Sequence, residues 1–462
     1  MGSVRLPNRI YGHWIWKKSL SGRPDSVLLM RKTFPCSCAG LDATLWICAN
    51  SSYQLFINGR FIGFGPRAHQ SEGVSYIDQY DVSYYLESGI NVIAVLATYS
   101  VDAGDVSPGF WCQMECGSRD LVASDGTWSV LEGNCFSAFR PRLSPGQGLS
   151  QYFDAELCPT AWLMPGFQPD AQWSSPDVVT SVERFRSQLE LHPLPPPSVN
   201  AERIPLNPVE RGKIEDLPKW SSVCFREVPP RNRNCYAAAG YLFSEKDAEL
   251  RVRVFSDDPF KFYCDHRPVA SGDSCAGEEV KVLRLHAGWN RLLLIQRPGY
   301  RTLGFTIIVE KEQAPETPEL AIFSEAVETA PAGWGVVGPL RLTLREATSS
   351  LRFERFRVTD YNCDPEKECD VCAILRNSRF TAAPDADLAR PLQAGDYQVF
   401  RLDCLRYGFL WLEVEASAGD VVDVSVGLSR EPNGFPRQAD NARGSATLRC
   451  RKGISVCLAQ VP

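Results

Sequence analysis

The chain has 462 residues, enough for two to four domains that each bury a core, and its 44% hydrophobic, 23% charged and 11% aromatic composition excludes disordered, collagen-like and coiled-coil classes. Forty-nine Lys and Arg against 55 Asp and Glu leave a net charge of −6, which gives no general attraction for nucleic acid or an anionic membrane. Apolar runs such as Val92 to Val101 fall well short of the roughly 20 residues of a spanning helix.

The N-terminal stretch Met1 to Lys18 has no continuous apolar core followed by a small-residue cleavage site, so no signal peptide is expected and the location is read as cytoplasmic. The 17 cysteines are an odd number in a chain too large to need disulfides, and most are expected as buried thiols. Period-two alternation dominates from Tyr53 onward. Tyr53, Leu55 and Ile57 share a face, Asn58-Gly59 supplies a two-residue turn, and Phe61 to Phe64 returns as the second strand of a hairpin. Apolar strands follow at Asn91 to Ala97, Glu249 to Phe255, Lys281 to His286, Arg291 to Ile295, Phe305 to Val309 and Leu340 to Leu344. The last are Tyr397 to Leu402, Phe409 to Ala416 and Val421 to Leu428.

Gly and Pro punctuate these runs at short intervals, without long helical patterns between them. The fold class is therefore mainly β, built of antiparallel sandwiches. The expected organisation is a β-sandwich over 1–190, a Pro-rich linker over 191–235, a second sandwich over 236–340 and a third over 341–462. A weak internal echo links the first two sandwiches. Leu55 to Arg60 followed by Gly89-Ile90-Asn91 parallels Phe262 to Arg267 followed by Gly288-Trp289-Asn290, and in each the Gly-x-Asn opens an apolar core strand.

The same residues resemble the N-terminal region of bacterial α-L-rhamnosidases, glycoside hydrolase family 78. The resemblance runs through the hairpin Tyr53 to Gly63, the segment Tyr76-Ile77-Asp78-Gln79-Tyr80-Asp81-Val82 and the strand Leu86 to Val95. It continues in Ser124-Asp125-Gly126-Thr127-Trp128 and in Tyr152-Phe153-Asp154-Ala155-Glu156, where Glu156 replaces the usual Arg. Trp334 to Leu340 is similar to the end of a sugar-binding module, and Asp396 to Glu431 to the family's concanavalin-like domain. The resemblance implies jelly-roll or galactose-binding-like sandwiches followed by a concanavalin-like one. It also implies that hydrolysis belongs to an α/α barrel expected beyond Pro462. The family's Arg-Glu motif is not reproduced at Arg226-Glu227, Arg345-Glu346 or Arg430-Glu431, and no catalytic carboxylate pair is nominated. The implied role is a non-catalytic carbohydrate-binding or scaffolding region with a rhamnose-containing glycan and the barrel as partners. The alternatives are a glycosidase whose sandwich loops supply Asp257, Asp258 or Glu431 as acid or base, and a purely structural fragment.

Candidate site residues follow from strand ends and aromatics. Asp257-Asp258, before Pro259, offer oxygens to Ca²⁺ or to sugar hydroxyls, or are solvated turn residues. Among Trp14, Trp16, Trp111, Trp162, Trp173, Trp289 and Trp411, Trp111 in Pro108-Gly109-Phe110-Trp111 is expected on a loop face where it could stack on a pyranose. Trp128, Trp289 and Trp411 are expected in the core. Cys363, Cys369 and Cys372 contain a C-x2-C, yet no further ligands stand nearby to complete a zinc site. Cys36, Cys38, Cys112 and Cys116 are expected to pack. Gly63 to Ala68 mimics a dinucleotide fingerprint, but it follows a hairpin and opens no helix.

Overall fold

The computed structural model describes residues 6–461 apart from 8, 22–25, 38–39, 41, 51, 66–73, 100–107, 118, 138–150, 180–187, 192–203, 216, 225–234, 257–258, 273–274, 298–303, 311–320, 324, 328, 331–332, 341, 351–373, 376–377, 385, 403–407, 428, 431–435 and 438–443. The chain is mainly β, as the alternation predicts, and no helical barrel occurs among the described residues. It divides into two compact units, 1–136 with 157–203, and 137–156 with 204–462.

In the first unit one sheet contains Ala43–Ala49, Val74–Asp81 and Phe110–Cys116, and the other contains Ser26–Cys36, Ser52–Ile57, Arg60–Gly65, Gly89–Tyr99 and Ser129–Glu132. Leu28, Met30, Leu55, Ile57, Ile93 and Val95 of the second sheet meet Leu45, Ile47, Phe110 and Cys112 of the first in one apolar cluster, the defining arrangement of a sandwich. The expected hairpin forms: Ile57 pairs with Arg60, and Asn58 and Gly59 take φ of 50° and 78°, as a type I′ turn needs.

The second unit repeats this plan. Trp220–Cys224, Ala248–Ser256, Cys275–Leu285 and Gly304–Val309 make one sheet, and Cys235–Ser244, Phe260–Cys264, Arg267–Gly272 and Gly288–Gln296 belong to the other. Leu250, Val252, Val254, Phe262, Leu292, Leu294, Phe305 and Ile307 join across the layers with Trp334. Trp220–Cys224 and Pro208–Glu215 are paired strands within the span expected as a linker. Pro208 is tolerated because it opens its strand, where a missing N–H interrupts little of the ladder.

The sequence echo is carried by matching hydrogen bonds. Asn91 is fully buried: its Oδ1 accepts from Glu87 N at 2.8 Å, and its Nδ2 donates to Glu87 O at 2.7 Å and Gly89 O at 3.2 Å. Asn290, also fully buried, accepts from His286 N at 2.8 Å and donates to His286 O at 2.8 Å and Gly288 O at 3.0 Å. Gly89 and Gly288 have φ of 104° and 101°, a region that side chains disfavour. The partner hairpins match as well. Asn58 Oδ1 accepts from Val92 N at 2.9 Å, and Asp265 Oδ1 accepts from Arg291 N at 2.8 Å. Asp265 and His266, at φ 44° and 69°, form the second left-handed turn without glycine.

The rest of the second unit includes a sheet in which Pro208–Glu215 lies between Arg379–Ala382 and Asp396–Phe400. Asp396 pairs with Lys213 at 2.5 Å and Arg211 at 2.6 Å, while Arg211 also donates to Asp387 O and Pro391 O. Hydrogen bonds from Lys213, then Arg211, then Gln393 N hold the Asp396 carboxyl well below the ordinary carboxylate range. A depressed folded-state value stabilises the fold above the unfolded value, near pH 4, and that stabilisation is lost as pH falls. Asp396→Asn should therefore lose stability relative to the parent at pH 7, with the difference shrinking below about pH 4. Urea unfolding at pH 7 and pH 3 checks this, and a constant difference would exclude it.

Farther on, Gly408–Ala416 pairs with Gly453–Val461, and Val421–Val426 with Gly444–Arg449. Leu410, Leu412 and Val414 are half-buried, whereas Trp411, Glu413 and Glu415 point to solvent. Among the described residues no helix is long and apolar enough to cross a membrane.

Candidate functional site

Two surfaces stand out, one in each unit. In the second unit, Tyr241 and Phe243 of Cys235–Ser244 lie opposite Arg291 and Trp289 of Gly288–Gln296, and Phe323 lies on the other side of Tyr241. Burial of Leu242 and Asn290 at 0% exposure fixes the alternation, so these neighbouring side chains must face outward. The Trp289 ring stands 5.3 Å from Phe243 at 63° and 5.6 Å from Phe323 at 87°, both edge-to-face. Arg291 lies over the Tyr241 ring at 5.9 Å. Phe243 is 39% exposed and the other four are half-buried. Rings that fix each other's orientation form a preorganised apolar face with a cation at its margin, which suits the carbon-bound face of a sugar beside its hydroxyls.

In the first unit a cavity of about 220 Å³ lies between Ser26–Cys36 and the segment 165–169. Arg31, Lys32, Thr127, Ser129, Phe167 and Gln168 are among its lining residues. Leu28 and Met30 face the core, so Arg31 sits on the opposite face of its strand yet is only 2% exposed. Its guanidinium donates to Phe167 O and Met164 O, each at 2.9 Å, and lies 5.0 Å from the Phe167 ring centroid. Its Nε is buried without a hydrogen-bond partner. Burial pushes the Arg31 pKa down, the sign expected of a desolvated cation.

Among the described residues, the candidate expected from sequence, Trp111, falls elsewhere. Trp111, expected on a loop face, is 1% exposed inside Phe110–Cys116, packs with Trp46 and Ile77, and donates from Nε1 to Gly12 O at 3.0 Å. The expectation is corrected because this strand is covered on both faces. Trp289 and Trp411, expected in the core, stand on outward positions of their strands, Trp411 at 39% exposure. Trp128 is buried as expected, and Trp16, Trp162 and Trp173 are buried too. Asp257, Asp258, Glu431, Cys38, Cys363, Cys369 and Cys372 lie outside the described residues. Cys36, Cys112 and Cys116 are packed in the first core, and burial pushes the Cys112 thiol up. Phe243, Phe323 and Arg31 were not foreseen. Strict alternation around Asn290 is the signal that exposes the first two, whereas Arg31 is hidden inside an apolar run.

With this geometry in hand, the relatives are informative. A GH78 family rhamnosidase from Bacillus sp. GL1 superposes with a TM-score of 0.63 at 19% identity, over 98% of this chain and 52% of that one. This chain shares the GH78 rhamnosidase fold. It spans about half the length of that GH78 enzyme. An α-L-rhamnosidase from Streptomyces avermitilis complexed with L-rhamnose matches 97% of this chain and 42% of its own at 14% identity and a TM-score of 0.29. The α-L-rhamnosidase from Dictyoglumus thermophilum matches 67% and 34% at 17% identity and 0.33. No family model and no curated protein matches the sequence.

Proposed function

We propose that the chain is a non-catalytic carbohydrate-binding and scaffolding region of a GH78-like glycoside hydrolase. The observation that carries the reading is the preorganised Phe243–Trp289–Phe323 face, in a chain whose fold is shared with about half of a GH78 enzyme. A rhamnose-containing glycan is the proposed ligand, because the deoxygenated carbon of such a sugar extends the apolar surface available to an aromatic ring. The proposed protein partner is a catalytic α/α barrel, braced by residues 341–462 acting as the concanavalin-like part. Glycan-array binding by the purified chain, compared with Trp289→Ala, tests the ligand. Signal on rhamnose-containing glycans that falls at least tenfold in the variant is expected. Equal signal in both proteins, or none in the parent, would exclude this face as the binding site.

A further inference from the structure

The cavity beside Arg31 has a different chemistry from the aromatic face. Two cationic residues, Arg31 and Lys32, line it, and none of its lining residues is acidic. Lys32 Nζ donates to Thr127 Oγ1, and Thr127 in turn donates to Asp125 Oδ1 both from N, at 2.8 Å, and from Oγ1, so the nearby carboxylate is engaged through the threonine. Arg31 offers its two terminal nitrogens to backbone carbonyls, which leaves its charge balanced by dipoles rather than by an anion. A buried cation without a counter-charge is costly unless something supplies one. Thr127, Ser129 and Gln168 add hydroxyl and amide groups, while Ile90 and Phe167 give the cavity an apolar margin. The combination of positive charge, neutral hydrogen-bonding groups and apolar contact matches a small ring that carries an oxyanion.

We propose that this cavity is a subsite for an acidic sugar, with Lys32 and Arg31 attracting its carboxylate and Ser129 and Gln168 meeting its hydroxyls. The sugar half of the assignment rests on the carbohydrate-binding reading; the anionic half rests on the cavity alone. Calorimetric titration of the full chain with glucuronate, glucose and inorganic sulfate tests it, using Lys32→Gln as the main variant. Lys32 is only partly buried, so that variant should fold, whereas Arg31→Gln also releases two carbonyls of the 164–167 segment. Saturable glucuronate binding is expected, weakened about tenfold in Lys32→Gln and by added salt, with glucose and sulfate binding at least tenfold more weakly. Absence of glucuronate binding, equal binding of glucose, or an unchanged affinity in Lys32→Gln would overturn the subsite. Sulfate binding as tight as glucuronate would overturn its assignment to a sugar. Glycan binding lost in Trp289→Ala but kept in Lys32→Gln would leave the carbohydrate-binding reading standing while this subsite falls. Lys32-dependent glucuronate binding with no signal on rhamnose-containing glycans would do the reverse.

Discussion

Asn290→Ala is expected to destabilise the second unit by about 3 kcal/mol, because it removes a fully buried amide and strips partners from the N–H and C=O of His286 and from Gly288 O. That corresponds to a fall of about 5 °C in melting temperature for a unit of this size. Asn91→Ala should do the same to the first unit, where it also removes the acceptor for Asn58 Nδ2 at 2.7 Å. Calorimetric scans of the two single variants and the double variant check this. Each single change should shift a different transition, and the two effects should add, since the two asparagines lie in separate compact units. Losses below about 1 kcal/mol would mean that water or a relaxed turn replaces the clamp. The matched bonds make the two sandwiches repeats in mechanism: a left-handed turn and a buried asparagine fix where each core strand begins.

Trp111→Ala should cost about 3–5 kcal/mol through loss of a fully buried indole and its hydrogen bond to Gly12 O. Gly12 packs so close to the indole that the ring and the chain segment support each other. Glycan binding by the folded fraction should be unchanged, because the ring is sealed between Trp46, Ile77 and the surrounding chain rather than offered to solvent. A stable Trp111→Ala protein that had lost glycan binding would restore the loop-face expectation. Chemical denaturation followed by near-ultraviolet circular dichroism, with binding measured on the same sample, separates the two outcomes.

The contrast between Trp111 and Trp289 shows what the sequence makes legible. Period-two alternation, the Asn58-Gly59 turn and the Gly-x-Asn echo act through local backbone geometry, so the hairpin, the core strands and the two-layer plan can be read directly. Alternation loses its meaning where a sheet is covered on both faces: Phe110–Cys116 is buried along its whole length, and its Pro108-Gly109 lead-in imitates a loop. The opposite error arises at Trp289, whose apolar neighbours imitate a core although inward Asn290 dictates an outward indole. Arg31 is harder still. Its site is completed by Met164 and Phe167, more than a hundred residues away, and no local pattern encodes that closure.

On the proposed function, these sandwiches hold a glycan and do not cleave it. Incubating the purified chain with a rhamnose-containing oligosaccharide in a calorimeter cell, and assaying the same preparation for nitrophenyl-rhamnoside turnover, tests it most directly. The expected result is a saturable binding isotherm that Trp289→Ala abolishes, with no release of nitrophenol. Sustained, saturable hydrolysis by this chain would contradict it.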